Sequence, residues 1–272
     1  MKRLSLTRRI NYALEVAVDA ILTCMGSAQP SNSALPAHLN SEQIVDRMQV
    51  HDTAQMEMLG SYQALRHYAI EYRSFFKTLD AKIDVEVNYD AASGKSFRIL
   101  SEGGSHTLCG KILRRAVDSE KETSLNRSNT ALIRANYTFH LAGSETLNSR
   151  PAYILDVEPI TPSKFLYRGR IWVDGIDFAV ARMEVQPGKN PSFWISRTVI
   201  HHMNTDVGGF WLPQQNRSET KVRIGGTAVM TIDYGTYRVV CRQSRPVISE
   251  LRLEAPNQRL ARTKIFCRSF AC

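Results

Sequence analysis

Glycine, proline and cysteine are all scarce in this sequence, with 15, 10 and five residues respectively among 272. The low glycine and proline content excludes collagen and low-complexity repeats. No CxxC pair occurs, so neither a zinc knuckle nor a thioredoxin-type motif is indicated. GxSxG and HExxH are also missing, which leaves no nucleophile elbow and no zincin helix.

Acidic residues are outnumbered by basic ones, 26 to 35, which gives a net charge of +9. Most of this excess lies at the two ends, with +2 in residues 1–28 and +5 in residues 241–272, so that residues 29–240 carry only +2. A phosphate-binding fold needs its positive field on the folded surface. This distribution therefore argues against nucleic acid as a partner. The 43% hydrophobic content is typical of a globular chain.

The N-terminus has the order of a secretory signal. Residues 1–9 are basic, residues 10–24 are mostly apolar, and small residues at 26–28 precede Gln29. We predict a signal peptide over 1–28 and a linker over 29–40. Glu15 and Asp19 interrupt the apolar stretch, so an amphipathic helix stays an alternative, and cleavage after Ala28 or lipidation at Cys24 is left open. No later segment approaches the ~20 apolar residues that a spanning helix needs.

Hydrophobic periodicity predicts two helices in the body of the chain. Ile44, Val45 and Met48, extended by Met56 and Leu59, recur at helical spacing after a cap at Asn40 or Ser41. A second helix is expected near 107–121, with one apolar stripe formed by Leu108, Ile112, Leu113 and Ala116.

The rest of the body reads as strands with period-two alternation. The clearest run places Ile83, Val85 and Val87 on one face and Asp84 and Glu86 on the other, solvated face. About ten strands follow one another without a βαβ alternation, which predicts an antiparallel α+β fold. The basic segment 241–272 is expected to be a poorly ordered tail.

Asp174-Gly175 is typical of a two-residue hairpin turn. That turn would pair Val173 with Ile176, Ile171 with Phe178 and Gly169 with Val180. It would point Ile171, Phe178 and Val180 inward and leave Trp172 on the other face.

No catalytic constellation is found, so we expect no enzyme, cofactor or metal. Residues 104–111 (GSHTLCGK) miss the phosphate-loop spacing, and Ile112 stands where Ser or Thr must bind magnesium. His201 and His202 are adjacent in a strand and point to opposite faces, so they cannot share a metal. Asp84, Glu86 and Asp90 lie on a solvated face.

Two blocks, YRGRIWVDGIDFAVARMEVQPGKNPSFW (167–194) and GFWLPQQNRSETKVRIGGTAVMTIDYGTYRV (209–239), carry a resemblance. They are similar to LolA-like outer-membrane lipoprotein-sorting proteins, and the likeness extends over about 41–240. Regulators of the MucB/RseB type share a related domain. The resemblance implies one strongly curved antiparallel sheet, an incomplete barrel, with two or so helices closing the concave side.

For function, the resemblance implies a monomeric periplasmic carrier that holds lipoprotein acyl chains or other lipid, with inner-membrane donor and outer-membrane acceptor proteins as partners. The alternative is an envelope-stress sensor of the MucB/RseB type, which binds lipid or protein. A further alternative is that the apolar faces pack on each other without any cavity. The cavity is expected to be lined by Tyr68, Ile70, Tyr72, Ile83, Val85, Val87, Leu108, Ile112, Tyr137, Phe139, Tyr153, Leu155, Ile171, Phe178, Val180, Met230 and Ile232.

Overall fold

A computed structural model describes residues 39–125, 127–223 and 225–242. The predicted signal peptide, most of the linker and nearly all of the basic tail lie outside these residues. Among the described residues, no helix combines the length and apolar character that crossing a membrane requires.

The first helix, α1 (Ser41–Met58), begins at the predicted cap. The Asn40 side chain accepts a hydrogen bond from the backbone of Gln43 at 2.9 Å, and the Gln43 side chain accepts one from the backbone of Asn40 at 3.0 Å. This capping box satisfies two of the amide groups that a helix N-terminus leaves unpaired. Met56, which was expected on the buried stripe, is exposed, and Leu59 is buried as the first residue of a strand.

The described chain forms one antiparallel sheet of eleven strands, as expected for the α+β class. The strands are β1 (Leu59–Arg73), β2 (Thr78–Asp90), β3 (Gly94–Gly104), β4 (Tyr137–Leu147), β5 (Arg150–Pro159), β6 (Tyr167–Asp174), β7 (Val180–Pro187), β8 (Ile195–Val207), β9 (Phe210–Val222), β10 (Thr227–Tyr234) and β11 (Arg238–Cys241).

The spatial order is β3-β2-β1-β10-β9-β8-β7-β6-β5-β4, and β11 continues the row of β10 beside β1. No pairing joins β3 to β4 among the described residues, so the barrel is incomplete. Both of these outermost strands carry an extra residue that interrupts their register, Leu100 in β3 and Ala142 in β4.

The second helical segment runs through a one-turn helix α2 (His106–Leu108), a π-helical turn (Cys109–Leu113), α3 (Arg114–Leu125) and α4 (Arg127–Thr130). Its buried residues are Leu108, Cys109, Leu113 and Val117. The expected stripe was wrong at Ile112, whose side chain is 43% exposed. Each hydrogen bond of the π-helical turn spans five residues instead of the four of an α-helix. The buried positions after this turn therefore lie one residue later in the sequence than a regular α-helix would place them.

Strand register shows that both helices cover the same face of the sheet. Paired residues share a face, and one continuous row of pairs runs from Ile83 and Tyr68 to Ile171 and Leu155 through Ile232, Asn216, His202 and Met183. The Tyr68 end of this row packs under the second helical segment, and the Leu155 end packs under α1. We call this the inner face.

Candidate functional site

A cavity of about 310 Å³ lies between α1 and the inner face. This volume is at the lower end of the range for small-molecule pockets, about 300–1,000 Å³. Its apolar lining consists of Met48, Ala131, Leu132, Ile133, Tyr137, Tyr167, Phe178, Ala179, Val180, Met183 and Trp211. Its polar lining consists of Gln49, His51, Asp52, Gln55, Thr130 and Asn204.

The helix α1 forms one wall of this cavity and is fixed by a small number of contacts. Near its N-terminus, the Arg134 guanidinium binds the Asp46 carboxylate at 2.8 Å and the Glu42 carbonyl at 2.6 Å. Near its C-terminus, the Gln55 side chain accepts from the Trp211 amide at 2.7 Å and donates to the Trp211 carbonyl at 3.3 Å. Apolar packing of Ile44, Val45 and Met48 adds to the attachment. One wall of the cavity is therefore a helix that rests on the sheet and continues directly into β1.

The opposite wall is set by an irregular loop between β6 and β7. Here the predicted hairpin register is wrong: Val173 pairs with Val180, Ile171 with Met183 and Gly169 with Val185. The physical cause is Asp174, whose carboxylate accepts hydrogen bonds from the backbone of Ile176 at 2.9 Å and Asp177 at 2.8 Å, so it stabilises a wider turn.

Arg150 fixes this wider loop. Its guanidinium binds both Asp174 and Asp177, at 2.5 and 2.6 Å. Phe178 then sits in the left-handed region at φ 60°, where it stacks on Tyr153 with ring centroids 6.1 Å apart and carries the Arg47 guanidinium 4.9 Å from its own centroid. The loop thus places an aromatic ring on the cavity wall.

Trp172 lies on the outer face, as the sequence predicts. Its indole N–H donates to Glu145 at 2.5 Å, and the Arg182 guanidinium lies 4.6 Å from its ring centroid.

His201 and His202 point to opposite faces, as the sequence predicts. His201 is exposed beside Glu184, whereas His202 lies on the inner face and contacts Asn204 at 2.9 Å. Burial lowers the pKa of His202, so this ring is neutral at pH 7.

The structure brings three of the residues expected to line a cavity, Tyr137, Phe178 and Val180, to this one. Others lie in the core beneath α1, namely Phe139, Tyr153, Leu155 and Ile171. The largest group belongs to the core beneath the second helical segment and comprises Tyr68, Ile70, Tyr72, Ile83, Val85, Val87, Leu108, Met230 and Ile232. Much of the inner face is therefore covered by the protein's own helices.

The two tyrosines in the cavity wall are neutral. Burial raises the pKa of Tyr137 to about 12 and also raises the pKa of Tyr167. The Tyr137 hydroxyl accepts a hydrogen bond from the Tyr167 backbone at 3.1 Å. By contrast, the Nε2 atom of His51 is buried and has no hydrogen-bond partner among the described residues. The cavity lining thus combines apolar surface with one unmet polar atom.

A buried charged cluster in the other half of the inner face was missed by sequence reasoning. Arg66 is fully buried, and its guanidinium binds the carboxylate of Glu120 in α3. The same carboxylate accepts from the Tyr68 hydroxyl at 3.2 Å and from the Lys95 ammonium at 3.3 Å. The Tyr234 ring lies 4.7 Å from the Arg66 guanidinium. The sequence did contain a signal for this cluster: Arg66 lies two residues before Tyr68 and four before Ile70, so the strand period places it on the same inward face.

Opposing effects set the protonation of this cluster. Burial by itself would raise the pKa of Glu120, but the positive charges of Arg66 and Lys95 outweigh it and lower that pKa. Likewise, burial would lower the pKa of Arg66, but Glu120 raises it. The cluster is therefore an ionised pair at neutral pH that joins β1 to α3.

No protein-family model matches the chain, and no curated protein does either. The chain is similar to solved structures of low sequence identity. One is a DUF1329 family protein from Desulfovibrio piger, with 14% identity, a TM-score of 0.38 and coverage of 74% of this chain and 94% of that one.

Two further structures belong to the lipoprotein-sorting class. An outer-membrane lipoprotein-sorting protein domain from Vibrio parahaemolyticus has 10% identity, a TM-score of 0.36 and coverage of 74% and 93% of the two chains. A LolA superfamily protein from Nitrosomonas europaea has 12% identity, a TM-score of 0.32 and coverage of 75% and 94%. The LolA-like family, which the sequence resembles, is represented among these solved structures.

Proposed function

We propose that this protein is a lipid carrier of the bacterial periplasm, which holds an acyl chain of a lipoprotein or of another lipid in the cavity beneath α1 and releases it to an outer-membrane acceptor. The observation that carries the proposal is the cavity itself. Most of its lining is apolar and comes from the sheet, the loop before β7 and residues 131–133, whereas α1 contributes Met48 together with polar side chains.

The energetics suit a hydrocarbon ligand. Each methylene that leaves water contributes about 0.8 kcal/mol, so burial of about eight methylenes contributes roughly 6 kcal/mol before the costs of ordering. No directional contact is needed along the chain. The unmet Nε2 atom of His51 offers one hydrogen bond to a polar group at the end of the chain, such as an ester or a carboxyl.

Release requires that the cavity open at modest cost. The wall formed by α1 is attached through the Arg134 and Gln55 hydrogen bonds and a short apolar stripe. Displacement of this helix, which is joined to β1 only at its C-terminus, breaks no strand pairing, which suits a carrier that exchanges its cargo. The signal-like segment 1–28 supports export to the periplasm. No feature of the described residues favours the regulatory sensor over the carrier.

The test is lipid uptake by variants that fill the cavity. Ala179 is buried and lines the cavity, whereas Ala181, two residues away, is buried but does not. Ala179→Leu should reduce the uptake of a fluorescent fatty acid at least tenfold, and Ala181→Leu should leave it unchanged. Ala181→Leu overfills a packed position and is expected to cost about 1–3 kcal/mol, whereas Ala179→Leu extends into the cavity and should cost no more than that. Thermal melts check both.

Native mass spectrometry gives an independent measurement. Protein purified from the periplasm should carry bound lipid or acylated protein. A lipid-free mass together with no probe uptake would reject the carrier. Equal uptake by folded Ala179→Leu and Ala181→Leu proteins would show that the ligand does not occupy this cavity.

A further inference from the structure

Four loops lie at the same end of the sheet. They are residues 74–77 between β1 and β2, 160–166 between β5 and β6, 188–194 between β7 and β8, and the turn of Arg223, Gly225 and Gly226 between β9 and β10. Because every neighbouring pair of strands is antiparallel, alternate connections fall at one end. We call these four loops the loop edge.

Hydrogen bonds join the loop edge into one continuous rim. The Tyr72 hydroxyl, at the end of β1, donates to the Gly225 carbonyl at 2.8 Å. The Arg223 amide donates to the Trp194 carbonyl at 2.8 Å, and the Lys189 amide donates to the Ser163 carbonyl at 2.9 Å. The side chains on these loops are therefore presented together.

The loop edge exposes four large aromatic rings in two adjacent pairs. Phe75 and Phe76 are 99% and 94% exposed, and Phe193 and Trp194 are 75% and 56% exposed. Each pair meets edge to face, with centroids 5.8 and 5.5 Å apart. Single exposed apolar side chains are ordinary, but grouped exposed rings on loop tips mark an interaction surface.

Basic residues lie in the same loops as these rings and in the neighbouring loops. Lys77, Lys164, Lys189 and Arg223 belong to the loop edge, and the segments 74–77, 160–166 and 188–194 contain no acidic residue. The Arg223 guanidinium lies 5.1 Å from the Phe193 centroid. The turns at the other end of the sheet, at 91–93, 148–149, 175–179 and 208–209, contain no lysine or arginine and include the acid Asp177. The two ends of the sheet therefore differ in charge as well as in apolar exposure.

We infer that the loop edge docks on the surface of an anionic phospholipid bilayer and inserts Phe75, Phe76, Phe193 and Trp194 among the headgroups. Aromatic rings favour the membrane–water interface, and nearby lysines and arginines add attraction to anionic lipid. The exposed rings belong to two different loops, and each of these loops also carries a lysine. This arrangement matches a planar charged surface better than the pockets of a protein partner.

Docking through the loop edge does not require the carrier function, but it would bring the membrane to a loop that adjoins the cavity. Tyr167, which lines the cavity, follows directly on loop 160–166. A bilayer that contacts the loop edge would therefore contact a loop that leads directly into one wall of the cavity.

The test is co-sedimentation of the full chain with vesicles of 30% phosphatidylglycerol in phosphatidylcholine. Phe75→Ser with Phe76→Ser should weaken binding at least tenfold, since burial of one such ring is worth about a factor of ten or more. The control is Val50→Ser with Ile176→Ser, two exposed apolar residues elsewhere on the molecule, which should leave binding unchanged. All four substituted residues are exposed, so we expect both variants to fold. Thermal melting checks this.

Charge and insertion are measured separately. Lys77→Glu with Lys189→Glu should weaken binding to the anionic vesicles by about fivefold or more per site. Insertion should shift the tryptophan emission of the wild type to the blue, and Trp194→Phe should lose that shift while fatty-acid uptake into the cavity persists. Unchanged binding of the Phe75/Phe76 variant, equal binding to pure phosphatidylcholine, or a shift that survives Trp194→Phe would each overturn the proposal.

Discussion

Removal of the Glu120 carboxylate should destabilise the protein far more than an ordinary surface change. Glu120→Ala leaves the Arg66 guanidinium fully buried without its carboxylate partner. Loss of one member of a buried ion pair costs about 3–5 kcal/mol. The contact between Arg66 and the Tyr234 ring is present in both proteins, so it does not change this difference. The net expectation is a loss of about 3–5 kcal/mol in the free energy of unfolding.

Urea denaturation measures this loss, with Asp118→Ala as the matched control. Asp118 lies in the same helix, α3, but is exposed, so its removal should change stability by less than about 0.5 kcal/mol. Glu120→Gln keeps the shape and an acceptor oxygen, and should fall between the two because it removes only the charge.

The pH dependence of the same pair has a fixed sign. Arg66 and Lys95 overcome the effect of burial and lower the pKa of Glu120 below the ordinary value of a glutamate, 4.5. Its stabilisation is therefore present above pH 4.5 and is lost as the pH falls through the lowered folded-state pKa. The difference in stability between wild type and Glu120→Gln should shrink over that acidic range. A difference that equals the Asp118→Ala control, or that does not change on acidification, would refute the reasoning.

Two further predictions concern backbone geometry. Asn40→Ala removes the cap of α1 and should cost about 1 kcal/mol, with faster amide hydrogen exchange confined to the first turn of that helix; uniform exchange would contradict a local cap. Gly169→Ala should cost at least about 1–3 kcal/mol in thermal unfolding, since the backbone has φ +140° and the new Cβ would lie 2.4 Å from the Glu184 carbonyl oxygen; an unchanged melting temperature would show that β6 and β7 separate easily here.

Alternation and capping were sufficient to predict most of the strands and the start of α1. In β2, Ile83, Val85 and Val87 are fully buried, and the acids between them face outward, because a sheet with one covered face imposes a period of two. The Asn40 cap identified the start of α1 for the same local reason. Such signals depend on neighbours in sequence.

The features that depend on distant residues were not predictable in this way. Asp174-Gly175 satisfies the composition of a tight turn, yet Arg150 binds Asp174 and Asp177 from another strand and favours a wider loop. Likewise, periodicity shows which side chains face inward but not whether space remains between them. Leu155 is packed under α1 while Val180 borders the cavity, although both lie on the inner face.

The two outermost strands, β3 and β4, create a risk of aggregation, and the interruption in each of them reduces that risk. An uncovered strand exposes a row of unpaired amide and carbonyl groups that can recruit a strand from another molecule and lead to aggregation. The extra residues Leu100 and Ala142 break that row in both outermost strands, because a bulge twists the backbone locally and spoils the regular spacing. The sheet can thus stay open without polymerising through its outermost strands.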